Sequence, residues 1–200
     1  KRKDAVERVE KALTARNVSK SVLWKTAVAV RVGAWVTALN LNWFGRSVTL
    51  TKIYQATADG WSASTFHSKC DNKNGTFVVV RVANGAEFGG YTNALWNNTG
   101  NYRSDSTAWM FSIHPSRAPT KIPITSSGGS YAIVSNSGYG PVFGRGHDMC
   151  LQNPLNRSDA FSNLGDTYTP SNGYGSATKR TFLAGSNKFT ATEVTVYQVS

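Results

Sequence analysis

Cysteine is scarce in this 200-residue chain, with Cys70 and Cys150 the only two. One pair cannot build the disulfide framework on which small secreted domains rely. The fold must therefore rest on an apolar core, for which 40% apolar and 12% aromatic residues suffice. Acids are also few, 11 against 22 Lys and Arg. Beyond Glu10 the only glutamates are Glu87 and Glu193, and Asp59, Asp71, Asp105, Asp148, Asp159 and Asp166 fall mostly at turns, where Asp is expected anyway. That leaves little from which to pair two carboxylates in a glycosidase cleft. No uncharged apolar run reaches the ~20 residues a bilayer requires, because Lys25 and Arg31 interrupt the best candidate. There is no G-x-S-x-G elbow for a hydrolase. Gly89-Gly90 and Gly144-Arg145-Gly146 lack the strand-then-helix context of a phosphate loop, so close backbone packing explains them better. Helix-turn-helix, zinc-finger and aromatic RNA-binding spacings are missing too, which disfavours nucleic acid as a partner. No motif calls for a cofactor.

Basic charge is present in excess, net +11, and it is uneven. Residues 1–31 carry nine Lys and Arg against three acids. Residues 4–16 read as a short amphipathic helix, with Val6, Val9, Ala12 and Leu13 on one face. Such an arm suits an anionic surface or simply solvates its own helix. Residues 22–44 fit both a strand and a helix period. The organisation expected is a basic helical extension over 1–42 and a single domain over 43–200. The shortage of cysteine points to a reducing compartment. Sequons at Asn17, Asn74, Asn97 and Asn156 would matter only in the secretory pathway.

From Ser47 onward the grammar is that of strands. Ser47–Tyr54 alternates, Thr76–Val82 is nearly all β-branched as in a doubly covered strand, and Asn84-Gly85 marks a hairpin into Glu87–Tyr91. Ala108–His114, Ser130–Ser135, His147–Gln152 and Phe189–Val199 follow as strands. Ser126–Gly129, Gly138–Gly146 and Pro170–Ser176 are the intervening turns and loops. The expected fold class is mainly β with a few helices: two antiparallel sheets packed face to face as a sandwich, with short flanking helices.

The densest block is Asp59-Gly60-Trp61-Ser62-Ala63-Ser64-Thr65-Phe66-His67-Ser68-Lys69-Cys70-Asp71. Ser62 is a good N-cap, and Ala63, Phe66 and Cys70 fall on one helical face. With Ile53–Ala56 before it and Glu87–Thr92 after it, the block resembles the signature of the TLDc domain family. Ala108–Ile113, Tyr139–Asp148, Thr181–Gly185 and Glu193–Tyr197 continue the likeness in the same order. The resemblance covers about three quarters of the chain. It implies a β-sandwich flanked by helices, no catalysis, and a cytoplasmic regulatory role of the oxidation-resistance type. Several members of the family bind the vacuolar proton-pumping ATPase, so subunits of that pump are the partner it implies. Thr195 departs from the family pattern, which often carries an acid there, and residues 1–31 match nothing in it.

The binding surface expected from these readings is the loops around Asp59, Gly60, Trp61 and Ser62, around Gly89, Gly90 and Tyr91, and around Gly144, Gly146, His147 and Asp148, since recognition sits on loops of a rigid scaffold. Two His-x-x-Cys units, His67/Cys70 and His147/Cys150, are chemically apt for zinc and Cys70–Cys150 for a disulfide, but the favoured reading is two buried free thiols packing as small hydrophobes. Asp59, Ser62 and His67 are triad residue types, but Ser62 already has its capping role. Trp61, Trp96, Tyr102, Tyr139, Tyr168 and Tyr174 lie in or beside polar loops, either folded inward or presented to a partner. Presented rings would suit a secreted defence or lectin-like protein, and the N-terminal helix an oligomeric structural component.

Overall fold

The computed structural model describes residues 34–171 and 176–200. The expected helix at 4–16, most of the basic extension, Asn17 and Tyr174 lie outside them. Twelve strands among the described residues form two six-stranded antiparallel sheets. Sheet I is ordered β1 (Leu50–Gln55), β12 (Ala191–Val199), β2 (Thr76–Val82), β3 (Glu87–Thr92), β5 (Trp109–His114), β6 (Arg117–Pro123). Sheet II is ordered β11 (Lys188–Phe189), β10 (Ala160–Phe161), β9 (Met149–Gln152), β8 (Tyr139–Phe143), β7 (Ile133–Ser135), β4 (Asn101–Arg103). The sandwich read from the strand periods is the fold observed. Among the described residues no helix is long and apolar enough to cross a membrane.

Strand β2 shows why this sequence needs layers on both sides. Val78 and Val80 enter the core between the sheets, while Phe77 and Val79 enter a second core on the outer face of sheet I. Helix α1 (Ala34–Asn40) and the turn after it cover that outer face, with Ala38 fully buried and the Trp43 and Phe44 rings packed among Phe77, Tyr91, Trp109 and Phe111. The helical period, not the strand period, therefore wins in the last part of the ambiguous segment.

The core between the sheets holds a run of edge-on rings. Tyr54, Phe66, Trp96, Phe143 and Tyr168 follow one another at centroid separations of 5.9, 5.4, 5.9 and 6.1 Å. Such pairs add about 0.5–1.5 kcal/mol each beyond area burial. Helix α3 (Ala63–Cys70) supplies Phe66 and so joins sheet I to sheet II at one end of the sandwich.

Four expected boundaries move. The strand expected over Phe189–Val199 breaks at Thr190, Phe189 belonging to β11 of sheet II and Ala191–Val199 to β12 of sheet I. Gly138–Gly146 is not all loop: Tyr139–Phe143 is strand β8, whose Gly140 admits the Leu155 side chain, from which a β-carbon there would lie 2.7 Å. Ser130 and Tyr131, the first two residues of the strand expected over Ser130–Ser135, belong to a 3-10 turn at Gly128–Tyr131, and the strand itself starts at Ile133. The strand expected from His147 starts at Met149, because His147 has φ 65° and sits in the turn. The Asn84-Gly85 hairpin exists, with Gly85 at φ 86° closing a turn whose Asn84 Oδ1 accepts the Ala86 amide at 2.9 Å.

Candidate functional site

The first expected recognition block opens with helix α2 (Ala56–Asp59) and continues into α3. Asp59 folds back so that its carboxylate accepts the Gln55 amide at 2.8 Å and the Lys69 ammonium at 3.0 Å. The amide first, then Lys69, holds its pKa below the ordinary value. Gly60 turns the chain at φ 113°, and its carbonyl accepts the Tyr54 hydroxyl at 2.8 Å. Trp61 is half-buried against the core between the sheets, and its carbonyl takes the Leu155 amide at 2.8 Å. Ser62 caps α3, its Oγ accepting the Thr65 amide at 3.0 Å, while the Ala63 amide donates to Asn153 Oδ1 at 2.9 Å. The block thus pins helix α3 to the loop after β9 and turns its tryptophan inward.

The second block is corrected by the structure. Gly89, Gly90 and Tyr91 are not a loop but the buried middle of β3. A β-carbon on Gly89 would lie 2.0 Å from the Val78 carbonyl oxygen, and one on Gly90 2.7 Å from the Phe143 ring. These glycines serve close approach, strand to strand and sheet to sheet. Tyr91 is buried as well, with its hydroxyl on Asn93 Oδ1 at 2.8 Å.

The third block is a turn built around a buried charge. Gly144 (φ 81°) and Gly146 (φ 70°) take the backbone where a side chain is strained, and a β-carbon on Gly144 would lie 1.9 Å from Asp148 Oδ2. Asp148 is fully buried, and its carboxylate accepts the amides of Gly165 (2.7 Å), Asp166 (3.2 Å), Thr167 (3.1 Å) and Tyr168 (3.4 Å). Burial pushes its pKa up to about 6 although the four amides pull the other way. Asp148 therefore clamps the 165–168 loop to the β8–β9 turn. His147, half-buried, packs between the Tyr139 and Phe161 rings at 6.2 and 5.8 Å, and burial lowers its pKa.

The alternative zinc set is not assembled. Both nitrogens of the His67 ring are engaged, Nδ1 with Asp71 Oδ1 at 2.7 Å and Nε2 with the carbonyls of Asn136 and Tyr139 at 3.0 Å each. Cys70 lies in the core between the sheets and Cys150 on the opposite face of sheet II, so a sheet separates the thiols. Both are free and buried, and burial raises both, Cys150 to about 12. Among the described residues no three His, Cys, Asp or Glu side chains are grouped to hold a metal. Asp59, Ser62 and His67 likewise keep separate partners and form no relay.

Two shallow clefts open on the surface. One, of about 400 Å³, is lined by Ser64, His67, Ser68, Asp71, Asn72, Asn98 and Ser137, with Asn98 donating to Asp71 at 2.9 Å. The other, of about 500 Å³, is lined by serines of the 104–106 and 126–130 turns around Asp105. Among the loop aromatics, Trp96 and Tyr168 are fully buried, donating to Thr76 Oγ1 and the Ala132 carbonyl at 3.0 and 2.7 Å. Tyr102 is 43% exposed. Its ring stands edge-on to Tyr131 at 5.1 Å, and the Arg145 guanidinium lies 5.1 Å over Tyr131. Arg145 lies within the loop expected around Gly144–Asp148, whereas Tyr131 was not foreseen as a surface group. Its place two residues after the Gly128-Gly129 pair was the available signal. Against models of known families, residues 36–200 match the TLDc domain. No curated protein matches the chain.

Proposed function

The chain belongs to the TLDc domain family, and from that premise we propose that it is a non-catalytic, protein-binding regulatory module whose partner is a subunit of the vacuolar proton-pumping ATPase. The match over residues 36–200 carries the reading, because it spans both sheets and all but the first two residues of helix α1. The construction of the site supports it. The polar side chains of the signature block and of the 144–148 turn are committed to neighbours as clamps, Asp59 to Gln55 and Lys69, His67 to Asp71, Asp148 to four amides. Groups held this way shape a rigid surface and leave recognition to what the sandwich displays. Any part in oxidation resistance would then run through the bound partner. The protein's own thiols are buried with raised pKa values, which suppresses the nucleophilic thiolate.

The test is affinity capture with the tagged 200-residue chain from cell lysate at low salt. Recovery of proton-pump subunits is the expected result. Capture that repeatedly returns none of them would remove the pump as partner.

A further inference from the structure

The two sheets end on four edge strands, and three of them are closed to further pairing. β4 and β11 run only three and two residues. β6 carries Pro119 and Pro123, and at its end the Thr169 amide donates to the Pro123 carbonyl at 3.3 Å while Ile124 bridges Tyr168. Short edges and edge prolines are the ordinary guards against strand addition. β1 is six residues long and has no proline.

Thr49 and Ser200 exchange both backbone bonds, at 2.8 and 3.1 Å, and the register continues from Leu50 opposite Val199 to Lys52 opposite Tyr197. Bonded and non-bonded pairs alternate along an antiparallel ladder. The Val199 amide accordingly turns from β1 and donates to the Gly75 carbonyl at 2.6 Å. The N–H and C=O of Leu50 and of Lys52 therefore point out of the sheet, and among the described residues nothing bonds to them. Thr51 and Lys52 are exposed, and the bulge between Lys52 and Tyr54 ends the open stretch.

Charge says what can pair there. No acid occurs from Lys11 to Ala58, against seven Lys and Arg. The acids on the elements packed against β1 are all engaged: Asp59 by Gln55 and Lys69, Asp71 by His67 and Asn98, Glu193 by Gln55 and Thr57. Lys52 makes no ion pair among the described residues, its ammonium lying 2.5 Å from Gln55 Oε1. A lysine on the edge and a net charge of +11 oppose a second copy of this chain and favour an acidic strand. Beside Lys52 the outer face turns apolar: Leu50 packs on the second core, and Trp35, 38% exposed, stands 6.4 Å from Tyr197.

We propose that the outward edge of β1, from Thr49 to Lys52, receives an extended segment of a partner protein as a further strand of sheet I, with an apolar side chain beside Leu50 and a carboxylate beside Lys52. This rests on the protein-binding reading above and adds the surface and the chemistry it selects. Main-chain bonds to Leu50 and Lys52 supply the attachment, and the side chains opposite them on the shared face set the preference.

The probe is the peptide Thr-Val-Thr-Glu-Thr-Val-Thr, capped at both ends, titrated into the 200-residue chain and read by amide hydrogen exchange in NMR spectra. In the free protein the Leu50 and Lys52 amides should exchange fast and the Thr51 amide slowly. Bound peptide should slow the first two. N-methylation of the Val and Glu amides, which face β1 in the ladder, should weaken binding about tenfold, and N-methylation of the Thr amides should leave it within about twofold. Equal losses from the two would mean that no ladder forms and overturn the proposal. Lys52→Glu should weaken binding about fivefold, and Arg145→Glu, on the β8–β9 turn of sheet II, should not. Equal losses here would mean diffuse attraction and overturn it as well. So would slow exchange of Leu50 and Lys52 in the free protein, which places a second copy on the edge if it grows with concentration and the chain's own N-terminal residues there if it does not. In the lysate capture, excess peptide should displace the pump subunits. Undiminished capture with peptide bound means that the edge is wrong and the partner stands. If the chain captures no pump subunits but the titration is as expected, the partner is wrong and the edge stands.

Discussion

The Phe143 ring of sheet II lies over Gly90 of sheet I so closely that a β-carbon on Gly90 would be 2.7 Å from its Cε1. The Trp109 carbonyl oxygen would be 2.9 Å away on the other side. One missing side chain thus sets how near the sheets stand at their middle.

Gly90→Val should therefore overpack the core and destabilise the fold by about 1–3 kcal/mol or more. Urea unfolding followed by tryptophan fluorescence measures this. Shortening the ring in the background of Gly90→Ala, by Phe143→Leu, should recover part of the loss, and full additivity of the two changes would contradict the contact.

Asp148 makes a pH prediction. Its folded pKa of about 6 stands above the ordinary 3.8, so the folded protein holds this proton more tightly than the unfolded chain. The contribution is complete below about pH 4, declines as pH rises toward 6 and is level above that. The decline is on the order of 3 kcal/mol. Asp148→Asn should flatten that segment of the stability–pH curve. It should also cost about 1–3 kcal/mol at pH 7, since an amide nitrogen would face backbone donors.

Removing the cap of α3 by Ser62→Ala should cost about 1 kcal/mol, and Ser62→Asp should keep most of it, because either oxygen can accept the Thr65 amide. Equilibrium denaturation of the two variants side by side separates the cap from a mere surface change.

Trp43→Ala should destabilise by about 3–5 kcal/mol although the residue lies outside the sandwich proper. Its ring packs on Trp109 and Phe111 at 5.9 and 5.8 Å, so its loss opens the second core. A change under ~1 kcal/mol in chemical denaturation would show that core to be dispensable.

Cys70 and Cys150 should not react with an aromatic disulfide reagent in the folded state at pH 8. Reaction should track global unfolding, since both thiols are buried and held protonated. Rapid labelling of either in native buffer would place it nearer the surface.

Much of the fold was legible because strand periods are local. Thr76–Val82 announced a doubly covered strand, and Ser62 announced the cap of α3. The close packing read for Gly89-Gly90 is what the sandwich shows, with Val78 and Phe143 against them, although their place on a recognition loop is not. Gly138–Gly146 read as loop throughout because glycine is permissive, whereas Gly140 makes room for Leu155 within a strand. Whether a glycine bends the chain or admits a neighbour depends on what lies across from it, which no local window contains.

The linear order of residues by itself determined the family, the sandwich class, the helix cap and the basic excess, since each follows from periodicity, composition or adjacent blocks. Tertiary structure alone decided that the two thiols lie on opposite sides of a sheet, that Asp148 clamps a distant loop, and that Tyr102, Val134, Val142, Cys150 and Phe161 fall into one row. Those are relations between strands far apart in the chain, and register across the sheet, not spacing along it, brings them together.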